Sequence, residues 1–395
     1  MSLNSNSLNA AQIKVGCPVP CDCYDGQGRL LLRKGVVIDS QRQVDFLVER
    51  GLFRMEDTSG EPSTLESTAS NNTTAAKPPS PFMLLNDYSK RLQQLLSSFG
   101  DSPSAARDHT GTSFSDRAIE LAMDIQKLCK IDADALLGKV HLDHSGRYSI
   151  SHPVHRAIIS ELLALRKSVS EELRLYLIAA ALTSDMSIQK LQDDLIRQNG
   201  PLRPEQQSAI LSHPFTSVKL LESLGVTNTT WLQTVLQHHE LLNGKGYPNG
   251  VSGDNVSKLA RILKLSDMYT AMVSPRAYRK TLLNKNVMRD ILLKRGSEID
   301  EELAISIIKE LGVYPPGAFV KLMNGEIAIV THRGTNPKTP LVKAVIGSNG
   351  VLHRYQAKRR TDAVEFEIHD VVDRDNIAAH INLEKSLNLQ ELWGY

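Results

Sequence analysis

Apolar residues recur every three to four positions through most of the stretch from Phe82 to Leu311. The segments SDRAIELAMDIQKLC, VHRAIISELLALRKSV and RPEQQSAILSHPFTSVKLLESLG show this spacing clearly. Such spacing collects apolar side chains on one face of a helix, and these faces are buried when helices pack together. Residues 82–311 are therefore predicted to form a helical bundle, which makes the chain mainly α.

The pattern changes to alternation with a period of two after the segment GVYPPG. Asn324-Gly325 and Asn349-Gly350 each separate two alternating apolar runs. Asn-Gly pairs favour the tight turns that join antiparallel strands, and alternation is typical of a strand with one buried face. Residues 312–395 are therefore predicted to form a small, β-rich C-terminal extension.

The segment before residue 57 has two apolar runs around glycine-rich turns, followed by helical spacing over residues 40–52. This combination predicts a small α+β module at residues 1–56. Residues 57–81 are rich in Ser, Thr, Asn and Pro and nearly free of large apolar residues. Such a segment cannot bury enough apolar surface to order itself, so it is predicted to be a flexible linker.

Composition narrows the class of protein. Of the 395 residues, 41% are hydrophobic and 23% charged, and 46 basic against 44 acidic residues leave a formal net charge of +2. A nearly neutral chain has no global field to attract duplex nucleic acid or an anionic membrane. The N-terminus lacks the apolar core of a secretory leader, and no stretch approaches the roughly 20 apolar residues of a spanning helix. We expect a cytoplasmic protein without a membrane partner.

Three of the four cysteines lie in the segment CPVPCDC, at Cys17, Cys21 and Cys23. A structural zinc site usually needs four ligands in paired spacing, and the sequence has no matching second pair. We therefore interpret these cysteines as small buried residues. A redox-sensing role stays open.

Six side chains that can bind metals lie on or beside predicted helices: His152, Asp185, His213, His238, His239 and Asp267. Imidazole and carboxylate groups on facing helices form divalent metal sites in bundles. A carboxylate that bridges two ions about 3.5–4 Å apart can help to activate a water, which then attacks a phosphodiester. A single helical histidine is more often a core or surface group. The adjacent pair His238 and His239, followed by a glycine-rich loop, favours the metal site.

The segment HHELLNGKGYPNGVSGDNVSKLARILKLSDMYTAMVSPRAYRK, residues 238–280, resembles the HD-GYP phosphohydrolases that open cyclic di-GMP. Its His-His-Glu, Gly-Tyr-Pro, Ala-Arg-Ile, Asp and Arg-x-Tyr-Arg landmarks occur in the family's order. The segments ISHPVHRA, LSHPFTSVKLLESLG and LGVYPPGAFVKLMNGEIAIV extend the resemblance to about residues 148–342. The resemblance implies an HD-type helical bundle with a metal-dependent phosphodiesterase centre.

The resemblance also implies a role for each candidate ligand. Asp185 would be the bridging, catalytic carboxylate. His213, His238 and His239 would complete the shell of one ion, and Asp267 would bind another. The implied cofactor is a divalent transition metal, with Fe or Mn as the first candidates, and a single bound ion is one alternative.

Four positions depart from the family pattern. Ser184 replaces the His of the family's His-Asp pair, and Ile188 replaces a Lys that contacts the phosphate or the hydroxide. Asn243 replaces the Asp of the signature loop. His152 would serve an outer or third ion, but Tyr148 stands where members with three ions often carry a Glu. Losing a positive group at a phosphoryl transition state commonly costs about 10²- to 10³-fold in rate. Phosphodiesterase activity is therefore expected to be impaired, chiefly at Ser184 and Ile188.

The ligand-binding part of the resemblance is better preserved. Glycines on either side of Lys245 allow a tight loop close to a phosphate, and Lys245 adds positive charge. Tyr247 offers a flat face for a guanine or a hydroxyl for a phosphate. Arg276 and Arg279 offer planar guanidinium groups that can clamp phosphate oxygens. Cyclic di-GMP is therefore the expected ligand.

Two functions remain open at this point. The favoured one is a degenerate signalling protein that binds cyclic di-GMP, a divalent metal or a protein partner such as a diguanylate-cyclase domain, with little or no hydrolysis. The alternative is an active, metal-dependent cyclic di-GMP phosphodiesterase with a weakened binuclear centre. A purely structural scaffold is disfavoured because both the His-His-Glu and the Gly-Tyr-Pro segments are retained.

Overall fold

The computed structural model describes residues 6–7, 15, 17, 19, 23–24, 30–32, 36–38, 44, 52–53, 79–97, 111–275, 284–374, 377 and 387–395. The chain forms two compact units, residues 1–76 and 77–395. Within the described ranges, no helix has both the length and the apolar character needed to cross a membrane. The predicted linker lies outside the described residues as far as residue 78, as does most of the helix predicted over residues 40–52.

The first unit contains a small antiparallel sheet of short strands. They are β1 (Asn6–Ser7), β2 (Cys23–Tyr24), β3 (Leu30–Leu32) and β4 (Leu52–Phe53), in the order β1-β4-β2-β3. The prediction of buried cysteines is wrong at Cys17, whose side chain is exposed, because Val19 and Ile38 take the buried positions beside it. Cys21 lies outside the described residues.

The second unit begins with a helical body. Its first helices are α1 (Pro81–Ser97), α2 (Phe114–Ile131), α3 (Ala133–Leu142), α4 (Tyr148–Arg166), α5 (Glu171–Thr183) and α6 (Gln189–Leu195). They are followed by α7 (Pro204–Ser223), α8 (Thr229–Gln237), α9 (Lys258–Val273), α10 (Asn284–Lys294) and α11 (Glu301–Leu311). The predicted mainly α fold with a helical bundle is confirmed.

Capping side chains set where several of these helices begin. The side chains of Ser170, Asn228 and Ser257 stand just before α5, α8 and α9. Each accepts a hydrogen bond from the backbone N–H three residues later. Such a bond satisfies one of the N–H groups that the first helical turn leaves free. The sequence thereby sets the starts of three helices that lead to the site described below.

Helix α4 is buried on most of its surface and packs against α2, α5, α9 and α11. Its apolar side chains join the main core, and Ile158 is fully buried. The same helix buries the polar side chains of His152, Arg156 and Glu161. A buried charge is costly unless it is paired. Glu161 accepts a hydrogen bond from Arg174 Nε on α5 at 3.0 Å, whereas His152 and Arg156 belong to the site.

An antiparallel sheet follows the helices, as the alternating pattern predicts. Its strands are β5 (Phe319–Leu322), β6 (Ile327–His332), β7 (Leu341–Ile346), β8 (Leu352–Arg360) and β9 (Ile368–Val371), in the order β8-β7-β6-β5-β9. Gly325 adopts a φ of +87° in the turn between β5 and β6, which favours glycine. The C-terminal helix α12 (Leu389–Trp393) and α1 share a core with this sheet through Trp393, Phe82 and Phe319. We propose that the helical bundle ends at residue 311 and that the β-rich extension begins at residue 312.

Three histidines around the start of α4 are neutral in the folded chain. Nδ1 of His141 donates to Leu137 O (2.7 Å), and its Nε2 accepts from the Tyr269 hydroxyl (2.6 Å). Burial lowers the pKa of His141 to about 4. Burial and the charge of Arg374 lower the pKa of His144 to about 3. Burial also holds the pKa of His155 well below its usual value.

We expect the midpoint temperature of unfolding to fall as the pH drops below about 6.5, the ordinary pKa of a histidine. Below that pH the unfolded chain binds protons at these histidines, while folded His141 and His144 bind them only near pH 4 and 3. Their contribution to stability is therefore present above about pH 6.5 and is lost as the pH falls, by about 1.4 kcal/mol per pH unit for each residue.

Calorimetry across this range, compared among variants, tests the expectation. His144→Gln should lessen the fall, whereas His369→Gln, a control at an exposed histidine, should leave it unchanged. An equally steep fall in His144→Gln would contradict the role given to this residue.

Candidate metal centre

Five helices of the second unit bring the six predicted ligands to one place. His152 lies on α4, His213 on α7 and Asp267 on α9. Asp185 follows α5 by two residues, and His238 caps the C-terminal end of α8, immediately before His239. These side chains form two sets that share Asp185. The first set is Asp185, His213, His238 and His239, and the second set is His152, Asp185 and Asp267.

The first set surrounds one oxygen of Asp185. His213 Nε2 lies 3.2 Å and His238 Nε2 3.7 Å from Asp185 Oδ1. The two Nε2 atoms are themselves 3.2 Å apart. Ligand atoms of these three residues and of His239 lie within 4.8 Å of one another. Three imidazoles and one carboxylate are a donor set that divalent transition metals accept.

Backbone carbonyl groups orient two of the histidine rings. Nδ1 of His213 donates to Ile210 O (2.5 Å), and Nδ1 of His238 donates to Val235 O (2.6 Å). A neutral ring that donates from Nδ1 carries a lone pair on Nε2. Two such lone pairs 3.2 Å apart repel one another unless a cation lies between them. This arrangement fits one divalent metal ion, since metal-binding histidines usually donate their other N–H to such a partner.

The protonation states of the buried side chains in the first set also favour metal binding. Burial, followed by the charges of its neighbours, holds the pKa of His239 well below its usual value. Burial also lowers the pKa of His238. Burial alone would raise the pKa of Asp185, but the positive charge of the Arg156 guanidinium holds it well below the usual range. At neutral pH His238 and His239 are therefore neutral imidazoles and Asp185 is a carboxylate, the forms that bind a metal.

The second set surrounds a residue that the sequence interpretation missed. Arg156 Nη1 donates to Asp185 Oδ2 (2.7 Å) and to Asp267 Oδ1 (2.8 Å). Its Nε and Nη2 donate to Ala181 O at 3.1 and 2.7 Å. His152 Nε2 lies 3.0 Å from the same Asp267 oxygen. The signal in the sequence is an arginine four residues after His152, hence on the same helix face.

A second cation also stands close to the site. Lys264 lies three residues before Asp267 on α9, and its charge acts on both Asp267 and His239. Burial lowers the pKa of Lys264. The sequence interpretation sought cations at position 188 and at Lys245, Arg276 and Arg279, and it did not consider Lys264.

Comparison with known proteins shows which family the helical region resembles. Residues 141–303 match the family model described as HD domain. These residues belong to the HD domain family. The resemblance to HD-GYP phosphohydrolases noted in the sequence is thereby confirmed at the level of the family.

Curated relatives share this region. A cyclic di-GMP phosphodiesterase of Pseudomonas aeruginosa is 28% identical over 211 residues, which cover 53% of this chain and 51% of that protein. The cyclic di-GMP phosphodiesterase PdeB of Borreliella burgdorferi is 24% identical, with coverage of 53% and 55%. A 3'3'-cGAMP-specific phosphodiesterase of Vibrio cholerae is 27% identical, with coverage of 45% and 38%. The match thus spans about half the length of the first two relatives.

Two positions that depart from the family pattern, Ser184 and Ile188, lie next to the predicted ligand Asp185. Ser184 is fully buried at the end of α5, and its hydroxyl has no hydrogen-bond partner among the described residues. Ile188 ends a short 3₁₀ helix, Met186–Ile188, rather than continuing α5. Ser187 holds this turn against α7, since its hydroxyl donates to His213 O (3.2 Å) and contacts the Ser217 hydroxyl (2.9 Å).

Tyr148 departs from the pattern at the outer side of the second set. Its ring stacks on the His152 ring, with centroids 4.7 Å apart and 13° between the planes. The position that would offer a carboxylate to a third ion therefore carries an aromatic ring against the nearest histidine.

The glycine-rich loop of the HD domain lies against the first set. The Tyr247 ring stacks on His239, with centroids 4.7 Å apart and 19° between the planes. A Cβ atom on Gly246 would lie 2.4 Å from Leu241 N and 2.6 Å from His239 O, so this close approach requires glycine. Lys245 is exposed beside it. One face of Tyr247 is thus occupied by His239, which limits the sequence prediction of a free stacking face.

The remaining predicted ligand-binding residues cannot be placed in this site. Arg276 and Arg279 lie outside the described residues, which resume at residue 284. Their role stays a prediction.

Proposed function

We propose that this chain is a degenerate HD-GYP-type signalling protein that binds a cyclic dinucleotide beside a single metal ion and hydrolyses it slowly or not at all. One observation carries the proposal. Asp185, His213, His238 and His239 converge within 4.8 Å, while positions 184 and 188 carry Ser and Ile. A complete set of ligands for one ion stands beside the positions where groups for catalysis are missing.

The first set would hold the ion through His213 Nε2, His238 Nε2, Asp185 Oδ1 and His239. Such an ion supplies a Lewis acid for a phosphate oxygen. The chain's own residues would place the ligand: Tyr247 bounds the site over His239, and exposed Lys245 offers positive charge to a phosphate. The buried Ser184 hydroxyl neither replaces an imidazole ligand nor supplies a cation.

The ligand class follows from the relatives. They are named for cyclic di-GMP and for 3'3'-cGAMP. Both ligands are cyclic dinucleotides with two phosphodiesters and purine bases, so the same combination of metal ion, basic loop and aromatic ring suits either. We take cyclic di-GMP as the first candidate, and an Fe or Mn ion as the first candidate cofactor.

We expect cyclic di-GMP to bind to the Mn²⁺-loaded protein and to be cleaved far below the roughly 1 to 10³ per second of ordinary enzymes. Calorimetry and product chromatography on one preparation measure both quantities. Tyr247→Ala should weaken binding about 5- to 150-fold, since base stacking on an aromatic ring contributes about 1–3 kcal/mol. Tyr247→Phe, which keeps the ring, is the matched control and should lose much less.

Two outcomes would contradict the proposal. Turnover in the ordinary range would favour the alternative, an active phosphodiesterase with a weakened centre. The absence of both binding and turnover would instead favour a protein-binding role.

One observation favours this second candidate function. Leu211 and Phe215 on α7 are 45% and 50% exposed and line one groove with Pro248 of the glycine-rich loop. A protein such as a diguanylate-cyclase domain would then be the partner.

A further inference from the structure

A fully buried guanidinium group lies between the two carboxylates of the second set. Arg156 is 0% exposed. Its Nη1 donates to one oxygen of Asp185 and one of Asp267, at 2.7 and 2.8 Å. Its Nε and Nη2 both donate to Ala181 O. Arg156 therefore has no accessible surface with which to contact a phosphate.

The position of Nη1 of Arg156 conflicts with a metal ion in this set. An ion bound to both oxygens would lie roughly 2.0–2.2 Å from each, in the space that Nη1 occupies between them. A divalent ion beside a guanidinium in a buried site would also be strongly repelled. His152 Nε2 shares the same Asp267 oxygen at 3.0 Å, so this oxygen is already engaged by two groups. The second set does not fit a metal while Arg156 is in place.

We propose that Arg156 is a built-in counter-cation that replaces one metal ion of a binuclear centre. It supplies one positive charge that Asp185 and Asp267 share, and it leaves the first set to hold a single ion. The inference rests on the metal site of the proposed function. It goes beyond that function because it assigns the loss of the second ion to Arg156 rather than to Ser184.

A second buried arginine shows what distinguishes Arg156 from an ordinary core ion pair. Arg174 Nε on α5 donates to both oxygens of Glu161 at 3.0 and 3.2 Å, and Arg174 Nη1 donates to Val169 O. This pair also joins α4 to α5, and Glu161 belongs to neither set of metal ligands. Arg174 thus provides a matched control for the burial and charge of Arg156.

The first test counts metal ions on the unaltered protein. The protein is stripped with a chelator, titrated with Mn²⁺ by calorimetry, and checked by elemental analysis after removal of free metal. We expect one ion per chain. Two tightly held ions would overturn the inference while leaving the proposed ligand binding intact. No bound ion would contradict both the inference and the metal ion of the proposed function.

The second test removes the cation. In Arg156→Ala, Asp185 and Asp267 lose their counter-ion, so a second Mn²⁺ should bind and should raise the midpoint temperature of unfolding more than it does for the unaltered protein. Arg174→Ala should also melt at a lower temperature in chelator, but Mn²⁺ should raise that temperature only as much as in the unaltered protein.

The outcomes separate the inference from the proposed function. One ion in Arg156→Ala, with an ordinary gain from Mn²⁺, would overturn the inference. Should Arg156→Ala not fold even with Mn²⁺, the same measurements on Arg156→Gln, which keeps a hydrogen-bond donor but no charge, decide between one ion and two. Failure of cyclic di-GMP to bind to a one-ion protein would contradict only the proposed function.

Discussion

The combined variant Arg156→Ala, Ser184→His and Ile188→Lys is expected to hydrolyse cyclic di-GMP at least about 10²-fold faster than the unaltered chain. The lysine would restore a cation near the phosphate, and such a group is commonly worth about 10²- to 10³-fold in rate. The histidine would restore an imidazole next to Asp185, and removing Arg156 would free Asp185 Oδ2 and Asp267 Oδ1 for a second ion.

The hydrolysis rates of the partial variants show which residue limits activity. Ser184→His with Ile188→Lys should gain little, because the Arg156 guanidinium still bridges the two carboxylates. The combined variant should load two ions and release linear nucleotide, as elemental analysis and chromatography would show. A folded combined variant that binds two ions and yields no product would sink the idea of a latent phosphodiesterase. Tyr148, stacked on His152, or Asn243 would then have to account for the loss.

Asp185→Asn is expected to abolish metal binding and to destabilise the fold. Asp185 is 4% exposed, and its carboxylate lies within 3.7 Å of nitrogen atoms of Arg156, His213 and His238. Removing one partner of a buried ion pair typically costs about 3–5 kcal/mol. The same change removes the carboxylate ligand of the first set, and we expect metal affinity to fall by more than the roughly 10- to 100-fold seen when only an outer partner is lost.

Glu161→Gln is the matched control for this second prediction. It breaks the other buried pair of α4, with Arg174, without touching a predicted ligand. We expect it to lower the free energy of unfolding in chelator while leaving metal affinity unchanged. Denaturant unfolding and metal titration on both variants measure the two effects. An Asp185→Asn protein that binds Mn²⁺ as tightly as the unaltered chain would rule out the first set as the metal site.

The first set was accessible from the sequence because its signals are local. The adjacent histidines, the glycine-rich loop and the apolar spacing of three to four positions all lie within short segments, and such segments predict helices and their ends directly. The fold class followed from the same patterns. The glycine at position 246 was visible too, although the backbone approach that requires it appears only in the folded loop.

The surroundings of the second set could not be predicted from the sequence alone. Arg156 looks like one more polar residue of an amphipathic helix, since its partners Asp185 and Asp267 are 29 and 111 residues away. Lys264 gives no signal in the sequence either, because its effect depends on the charged side chains that face it in the folded chain. Tyr148 was visible as a departure from the family pattern, but only the structure places its ring against His152. Local patterns determined the helices, the histidines predicted as metal ligands and the loop of this protein. Only the tertiary packing decided that a guanidinium lies between the two carboxylates, because charges separated along the chain interact when folding buries them together in a medium that screens them weakly.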